Sequence, residues 1–270
     1  MRLLLTPKPD LTMHARFYHS AEIGIGQLIE FSLENKHHAT RVLRLKKGHS
    51  VTLFNGRGGE FLGYIDHITK SSTTVRIEAY HDKECESSLH IELAQALCVN
   101  EKMDWIIQKA VELGVTRIQP VMTARSIVHL SDERSSRRLQ HWHKIVIAAC
   151  EQCGRNRLPH MLPLIPLPEW LSHKKTNHSP NDLHLVFSTT ATHGLRNIAA
   201  PSINAHVSMV IGPEGGFTED EETAILHTEF IPIRLGSRIL RTETAALAAL
   251  AALQAVWGDY DGSHEKTVDY

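Results

Sequence analysis

The chain has 270 residues, of which 42% are hydrophobic and 22% charged, so it is long enough for one large domain or two smaller ones and is not intrinsically disordered. With 29 Lys/Arg and 30 Asp/Glu, its formal net charge of −1 excludes the overall basicity typical of many nucleic-acid-binding proteins. Residues 1–75 nevertheless carry ten basic and six acidic side chains. A polyanionic partner is therefore expected to prefer the N-terminal part.

No apolar run, including residues 245–256, reaches the roughly 18 to 20 residues that a membrane-spanning helix requires. Residues 1–10 contain three leucines but no apolar core of the kind found in signal peptides. The four cysteines are too few for a disulfide framework, and Cys150 and Cys153 lack a second Cys-x-x-Cys pair. We expect a reduced, cytoplasmic protein without a membrane anchor and without a metal site.

Short β-strands separated by glycine turns are predicted in the N-terminal part, at residues 27–31, 50–54, 60–65 and 73–79. Several short strands joined by tight turns favour a small β-barrel. Residues 35–47 predict one or two helical turns. This segment carries five basic side chains and no acidic one, namely Lys36, Arg41, Arg44, Lys46 and Lys47. Taken alone, such a run is more often a solvated surface than a binding site.

From about residue 81 the pattern changes to strands that alternate with longer helices, and we place the domain boundary between residues 80 and 81. The alternation predicts an α/β domain whose mostly parallel sheet is covered by helices on both faces. Residues 172–182 are polar and predict an exposed loop. The predicted strands are residues 90–99, 117–122, 182–188, 207–211 and 230–235, and the predicted helices are residues 100–114, 135–153, 219–227 and 243–257.

A glycine turn at residues 212–216 follows one of these buried strands, and ligands of open α/β sheets bind at such carboxyl ends. Thr218 and Glu221 form the pattern of a capping box, and four carboxylates occupy the first turn of the next helix. A phosphate-binding helix start keeps its positive end free, and the glycines and lysine of the common nucleotide motifs are missing. The turn therefore favours a neutral or cationic ligand.

A second glycine turn, Leu235-Gly236, follows the next strand and precedes an alanine-rich helix at residues 243–257. This helix is apolar nearly all round, which predicts burial on more than one side, in a tight fold or at a subunit interface. Two glycine turns after consecutive strands predict one concave pocket lined by backbone groups.

These segments together resemble the RsmE-type 16S ribosomal RNA uridine-N3 methyltransferases of the SPOUT superfamily. The resemblance rests on residues 38–44, 54–56, 109–114, 125–126, 151–155, 212–216, 235–236 and 239–245. It implies an N-terminal PUA-like RNA-binding β-barrel and a C-terminal SPOUT α/β domain with a deep trefoil knot. It further implies a homodimer that uses S-adenosyl-L-methionine to methylate N3 of a uridine near the 3′ end of 16S rRNA in the small ribosomal subunit.

The resemblance also assigns roles to individual residues. The cofactor-binding residues are expected to be Gly212, Glu214, Gly215, Gly216, Leu235, Gly236, Ile239, Leu240, Thr242, Thr244 and Ala245. The RNA-binding residues are expected to be Arg41, Arg44, Lys46, Lys47 and Arg125. The first group would bind the cofactor mainly through backbone groups. The second group would contact RNA phosphates through positively charged side chains.

Uracil N3 carries a proton at neutral pH, so methylation requires that this proton be removed or that the developing anion be stabilised. We expect Arg241 and Arg155 to stabilise charge on the uracil oxygens, and Glu243 or Glu214 to accept the proton directly or through water. Pairing of Glu243 with Arg241 or Arg238 would make it a poorer base.

Simpler structural roles remain open for some of these residues. Arg155 lies at the end of a predicted helix and is also suited to cap its carbonyl groups. Lys109 and Glu112, three residues apart, equally suit a surface ion pair. For the whole chain, the alternatives are a non-catalytic RNA-binding or ribosome-assembly factor and a nucleotide-dependent oxidoreductase, the latter disfavoured by the missing Rossmann glycines.

Overall fold

The structure is a computed structural model that describes residues 15–126, 132–176, 181–202 and 205–260. The chain divides into two compact units between Glu84 and Cys85. The elements of the first unit are β1 (Ala15–Tyr18), β2 (Leu28–Glu30), α1 (Leu33–His37), a π-helical turn (His38–Val42), β3 (Ser50–Phe54), β4 (Glu60–Ile68) and β5 (Thr73–His81).

The five strands of the first unit form one sheet in the order β1-β3-β4-β5-β2. β1 pairs with β3 in parallel, and the other pairings are antiparallel. Alternate apolar side chains of these strands are buried in one core, which includes Phe17, Val51, Leu53, Val75 and Ile77. Within residues 15–84 no pairing joins β1 to β2. The predicted barrel closure therefore stays a prediction.

The basic segment of the first unit contains the one or two helical turns that were predicted, which end at Val42. Ser32 caps α1 by accepting a hydrogen bond from the backbone N–H of Asn35 at 3.1 Å. The helical path ends after Val42, and Arg44 adopts a left-handed conformation with φ of 54°. Non-glycine residues rarely adopt this conformation, and it is incompatible with a continuing right-handed helix. The exposed basic side chains of this segment are Arg41, Arg44, Lys46 and Lys47.

The second unit is built around a parallel sheet in the order β12-β10-β11-β6-β7-β8, with β9 also paired to β7. Every strand pairing in it is parallel. Its elements are β6 (His90–Ala96), α2 (Asn100–Glu112), β7 (Arg117–Met122), α3 (Asp132–Cys153), β8 (His160–Met161), β9 (Ile165–Pro166), α4 (Leu167–Thr176), β10 (Leu183–Phe187), a 3₁₀ turn (Leu195–Asn197), β11 (His206–Ile211), α5 (Glu219–Leu226), β12 (Ile231–Ile233) and α6 (Thr242–Trp257).

Small side chains of the central strands allow helices to pack closely against the sheet. Ala94 and Ala96 of β6 share a core cluster with Trp170 of α4 and Ile225 of α5. α2 packs against both α3 and α6. The same parallel arrangement brings the carboxyl ends of β10, β11 and β12 to one edge of the sheet, which positions the loops described below.

The prediction of an exposed loop at residues 172–182 is wrong for residues 172–176, which belong to α4. Leu167, Trp170 and Leu171 lie at helical spacing and are buried, so they hold this helix against the sheet. Lys174 continues the helix and donates a hydrogen bond to Ser208 Oγ at 2.9 Å. Residues 177–180 lie outside the described residues.

Among the described residues, one side of α6 is buried. The buried residues are Thr242, Ala246, Ala249, Leu250, Leu253 and Gln254, which recur at helical spacing. On the opposite side Ala248 and Ala251 are half-buried and Ala255 is exposed. The predicted burial of α6 on more than one side therefore does not occur among the described residues.

Within the four described segments, no helix combines the length and apolar character that crossing a bilayer would require. Nor does the described part of the chain contain a group of three or more His, Cys, Asp or Glu side chains arranged to hold a metal ion.

Candidate functional site

A cavity of about 850 Å³ lies at the carboxyl ends of β10, β11 and β12. Its walls are the loops that follow these three strands, together with Lys102 from α2. Ligand cavities of this size are common at the strand ends of parallel sheets. The lining residues of the loops lie within residues 187–189, 211–217 and 233–242.

The first glycine turn is held in place by hydrogen bonds of the residues that follow it, at the start of α5. Thr218 Oγ1 accepts from the backbone N–H of Glu221 at 3.2 Å, and Glu221 Oε2 accepts from the backbone N–H of Thr218 at 2.9 Å. The predicted capping box is therefore confirmed. Glu221 Oε1 also accepts from the backbone N–H of Ala124 at 2.7 Å, which ties the turn to the loop after β7. Gly216 has φ of 68°, a conformation that favours glycine.

Arg125 clamps the same turn. Its Nη1 donates to the carbonyl oxygens of Gly215 and Phe217, both at 3.0 Å. A Cβ atom at Gly215 would lie 3.3 Å from Cβ of Arg125, which is tighter than ordinary packing. The structure thus assigns Arg125 a contact with the glycine turn. Its predicted contact with RNA stays a prediction.

The second turn is linked to the first through one hydroxyl group. Thr242 Oγ1 donates to the carbonyl oxygen of Gly212 at 2.6 Å and accepts from Nε2 of Gln95 at 3.0 Å. Gly236 forms the turn with φ of 73°, and Arg234 Nε donates to its carbonyl oxygen at 2.9 Å. Because Gln95 is fully buried in β6, it fixes Thr242, and Thr242 fixes the separation of the two turns.

Three charged side chains meet at the cavity wall. Lys102 Nζ lies 3.0 Å from Glu214 Oε1 and 3.4 Å from Glu243 Oε2. Burial raises the pKa of Glu214, but hydrogen bonds from its own backbone N–H, from Lys102 and from the backbone N–H of Val99 outweigh burial, so this pKa lies below its usual value. Glu214 is therefore held ionised at neutral pH.

The cavity as a whole has more basic than acidic side chains. The basic ones are Lys102, Arg234, Arg238 and Arg241, and the acidic ones are Glu214 and Glu222. The first glycine turn, taken alone, favours a neutral or cationic ligand. The second turn adds exposed arginines, which suit an anionic partner next to that ligand.

Comparison with known proteins identifies the family to which the chain belongs. A family model described as an RNA methyltransferase domain matches residues 85–254, and a second model, the RNA methyltransferase PUA domain, matches residues 34–78. The chain belongs to the RNA methyltransferase family. The first match extends over more than half of the chain and includes both glycine turns. The second lies within the first compact unit.

Individual relatives agree with this assignment. The ribosomal RNA small subunit methyltransferase E of Buchnera aphidicola from Acyrthosiphon pisum is 36% identical, over 91% of this chain and 94% of that protein. The crystal structure of a ribosomal RNA small subunit methyltransferase E from Neisseria gonorrhoeae bound to S-adenosyl methionine is 38% identical, with a TM-score of 0.84, over 92% of this chain and 99% of that one. The structure of a putative methyltransferase from Legionella pneumophila, in complex with SAM, is 38% identical with a TM-score of 0.85, and the match covers 91% of this chain and 99% of that one.

The cavity of this RNA methyltransferase brings together ten of the eleven residues predicted to bind the cofactor. The one that does not line it is Thr244, an exposed residue of α6. Arg241, predicted to act on the substrate, also lines the cavity. Glu243 is not a lining residue, and its carboxylate pairs with Lys102 instead of Arg238 or Arg241, the two partners considered for it above.

Arg155 lies elsewhere, and its contacts do not support the predicted role on the substrate. It is 5% exposed and does not line the cavity. Its Nε and Nη2 donate to the two oxygens of Glu86 at 2.9 and 2.5 Å, and its Nη1 donates to the carbonyl oxygens of Val111 and Val115 at 2.9 and 2.8 Å. The contact with Val111 caps the last turn of α2, rather than the end of α3 that Arg155 follows, and the contacts with Glu86 form a largely buried ion pair. Lys109 of α2 forms an ion pair with Glu112 at 2.7 Å, as in the simpler structural role considered for these two residues above.

Sequence reasoning missed several residues of the site. Phe187, Ser188 and Thr189 line the cavity directly after β10, and the rule that ligands bind at strand ends would have pointed to them. Lys102 and Gln95 gave no comparable signal, because their partners in the site are more than 100 residues away in sequence.

Proposed function

We propose that the chain is an S-adenosyl-L-methionine-dependent methyltransferase that methylates N3 of a uridine near the 3′ end of 16S rRNA in the small ribosomal subunit. One observation carries the proposal: the two glycine turns enclose a single cavity in a chain that is 38% identical, over 92% of its length, to an rRNA methyltransferase bound to S-adenosyl methionine.

The residues of the cavity fit this cofactor. Apolar side chains that suit an adenine ring line it, among them Phe187, Ile211, Leu235 and Ile239. The carboxylate of Glu214, held ionised at the wall, suits the positively charged ammonium and sulfonium groups. Backbone groups of the two turns would hold the remaining polar atoms. The cofactor supplies an activated methyl group, and the protein orients the acceptor toward it.

Arg241 is the residue that we propose contacts the uracil base. Its side chain lines the cavity and is exposed at the N-terminal end of α6, where a substrate base can reach it. We propose that its guanidinium stabilises negative charge on a uracil oxygen as the N3 proton leaves. Glu214 and Glu243 are the candidate proton acceptors, directly or through water. The hydrogen bonds on Glu214 weaken it as a base.

The first unit is proposed to bind the rRNA. Arg41, Arg44, Lys46 and Lys47 form an exposed basic segment within the PUA-domain match at residues 34–78. Such side chains contact phosphates, which gives affinity that falls with salt but little sequence information. We propose that residues 1–80 are the RNA-binding domain and residues 81–270 the catalytic domain, with Arg125 as a further RNA contact.

We also propose a homodimer, a closed barrel in the first domain and a trefoil knot in the second. The half-exposed apolar side of α6 supports the dimer, because a second copy would bury Ala248, Ala251 and Ala255. The match to the two family models supports the knot and the closed barrel. An rRNA substrate further supports action in the cytoplasm.

Gly215→Val is expected to weaken S-adenosylmethionine binding by at least about tenfold, or about 1.4 kcal/mol. Its Cβ would lie 3.3 Å from Cβ of Arg125, so the turn must shift away from its clamp. Isothermal titration calorimetry measures the change, with Gly24→Val in the first unit as a control that leaves binding unaffected. Absence of binding in both the native protein and Gly215→Val would favour the non-catalytic RNA-binding alternative.

Deletion of the gene is expected to remove 3-methyluridine from 16S rRNA. Mass spectrometry of the rRNA measures this loss. Small subunits from the deletion strain should then accept a labelled methyl group when incubated with the purified protein and S-adenosylmethionine, and naked 16S rRNA provides a parallel substrate. If 3-methyluridine persists in the deletion strain and no label is transferred to either substrate, the proposed function is wrong.

A further inference from the structure

Lys102 connects the two walls of the cavity, although neither the sequence motifs nor the proposed chemistry gives it a role. It lies in the first turn of α2 and lines the cavity. Its ammonium group donates to Glu214 of the first glycine turn at 3.0 Å. It also contacts Glu243, in the first turn of α6 directly after the second glycine turn, at 3.4 Å. One cation thus bridges both glycine-turn segments and α2.

The contacts of Lys102 with Glu214 and with Glu243 differ in their hydrogen-bond geometry. The bond to Glu214 is a charge-assisted hydrogen bond, and Glu214 receives further support from the backbone N–H of Val99 at 3.5 Å. The contact with Glu243 is an ion pair without hydrogen-bond geometry, because Glu243 Oε2 has no hydrogen-bond partner among the described residues. Lys102 is therefore the partner through which Glu243 is tied to the first turn.

Removing this cation would leave two carboxylates of like charge near each other. Their side chains are only 23% and 15% exposed, so water screens them incompletely. The nearby Cys98 thiol stays neutral, since burial, followed by the nearby Glu214, raises its pKa to about 12. The arginines that line the cavity, Arg234, Arg238 and Arg241, form no described ion pair with either carboxylate. Without Lys102 the two turns would be pushed apart.

We propose that Lys102 is a positioning residue that holds the two glycine turns at the separation required to bind S-adenosylmethionine. It acts through Glu214 and Glu243 and needs no contact with the cofactor itself. The inference rests on the proposed function, because the affinity that it sets is the affinity for that cofactor.

The test compares Lys102→Met, Lys102→Arg and a matched control, Lys109→Met. Lys109 lies on the same helix and pairs with Glu112 at 2.7 Å, but it does not line the cavity. Calorimetry of the full chain at pH 7.5 should give an S-adenosylmethionine Kd about tenfold weaker for Lys102→Met. Lys102→Arg, which keeps the charge, and Lys109→Met should stay within about threefold of the native protein.

The pH dependence of binding separates positioning from a general loss of structure. Lys102 lowers the pKa of Glu214, so Lys102→Met should raise that pKa. Protonation of Glu214 at pH 5.5 would then relieve its repulsion from Glu243, so the affinity that Lys102→Met loses relative to the native protein should be smaller at pH 5.5 than at pH 7.5. Lys102→Arg should stay close to the native protein at both pH values. A fall in affinity that is the same at both pH values and that Lys102→Arg does not restore would overturn the proposal.

The remaining outcomes are also distinct. If the native protein binds S-adenosylmethionine and Lys102→Met binds it equally well, the role of Lys102 is wrong while the proposed function stands. If Lys109→Met weakens binding as much as Lys102→Met does, the effect belongs to α2 in general and the proposal is overturned. If the native protein itself does not bind S-adenosylmethionine, the proposed function fails and the role of Lys102 fails with it.

Discussion

Arg241→Ala is expected to lower kcat by about 10²- to 10³-fold and to change the Kd for S-adenosylmethionine by less than about threefold. The guanidinium lines the cavity, but the described contacts of Arg241 are limited to its backbone carbonyl, which accepts from the N–H of Ala245 at 2.8 Å. Its side chain is therefore available to the substrate, and its loss should affect the transition state rather than the folded structure.

Single-turnover methyl transfer to small subunits and calorimetric titration of the cofactor provide the two measurements. Arg241→Lys is the matched variant, because it keeps a positive charge but loses the planar fork of donors. We expect it to recover part of the rate. An equal loss in kcat and in cofactor affinity for Arg241→Ala would instead identify Arg241 as a cofactor-binding or folding residue.

Arg155→Met is expected to lower the free energy of unfolding by about 3 to 5 kcal/mol, because it leaves Glu86 without its partner and uncaps the end of α2. The control is Arg137→Met on α3. Arg137 also pairs with a glutamate, Glu133, at 2.5 Å, but both side chains are 76% exposed. Such a pair contributes about 0 to 1 kcal/mol.

Urea unfolding followed by tryptophan fluorescence measures both variants. All four tryptophans of the chain lie in the second unit, so the signal reports on the unit that contains Arg155. If Arg155→Met unfolds like the native protein but loses methyl transfer, Arg155 is a catalytic residue after all. Loss of stability with retained single-turnover rate in the folded fraction would support the helix-capping role.

The parts of the fold that the sequence predicts well are those set by local patterns. β3 and β7 occur at the predicted residues, since an apolar run between turn residues carries its own signal. The two glycine turns were likewise predictable, because each follows an apolar strand directly, and the first is also followed by a capping box. The short β1 and the two-residue β8 and β9 were missed, since so few residues establish no periodicity.

The parts that sequence reasoning missed depend on contacts between distant residues. Arg125 contacts Gly215, and Arg155 contacts Glu86; in both cases the pairing follows from the order of the strands rather than from a local motif. Arginine suits phosphates, carboxylates and carbonyl oxygens alike, so its type alone does not select its partner. The cofactor turns were therefore predictable, whereas the side chains that hold them in place were not.

The hydroxyl group of Thr242 restricts how this sequence can evolve. It donates one hydrogen bond and accepts another in a buried position, and both partners, Gly212 and Gln95, belong to the central strands or the turn after them. Valine has the same shape but can neither donate nor accept these bonds, whereas the hydroxyl group of serine can do both. Hydrogen-bond chemistry therefore favours threonine and serine at this position, whichever RNA the enzyme methylates.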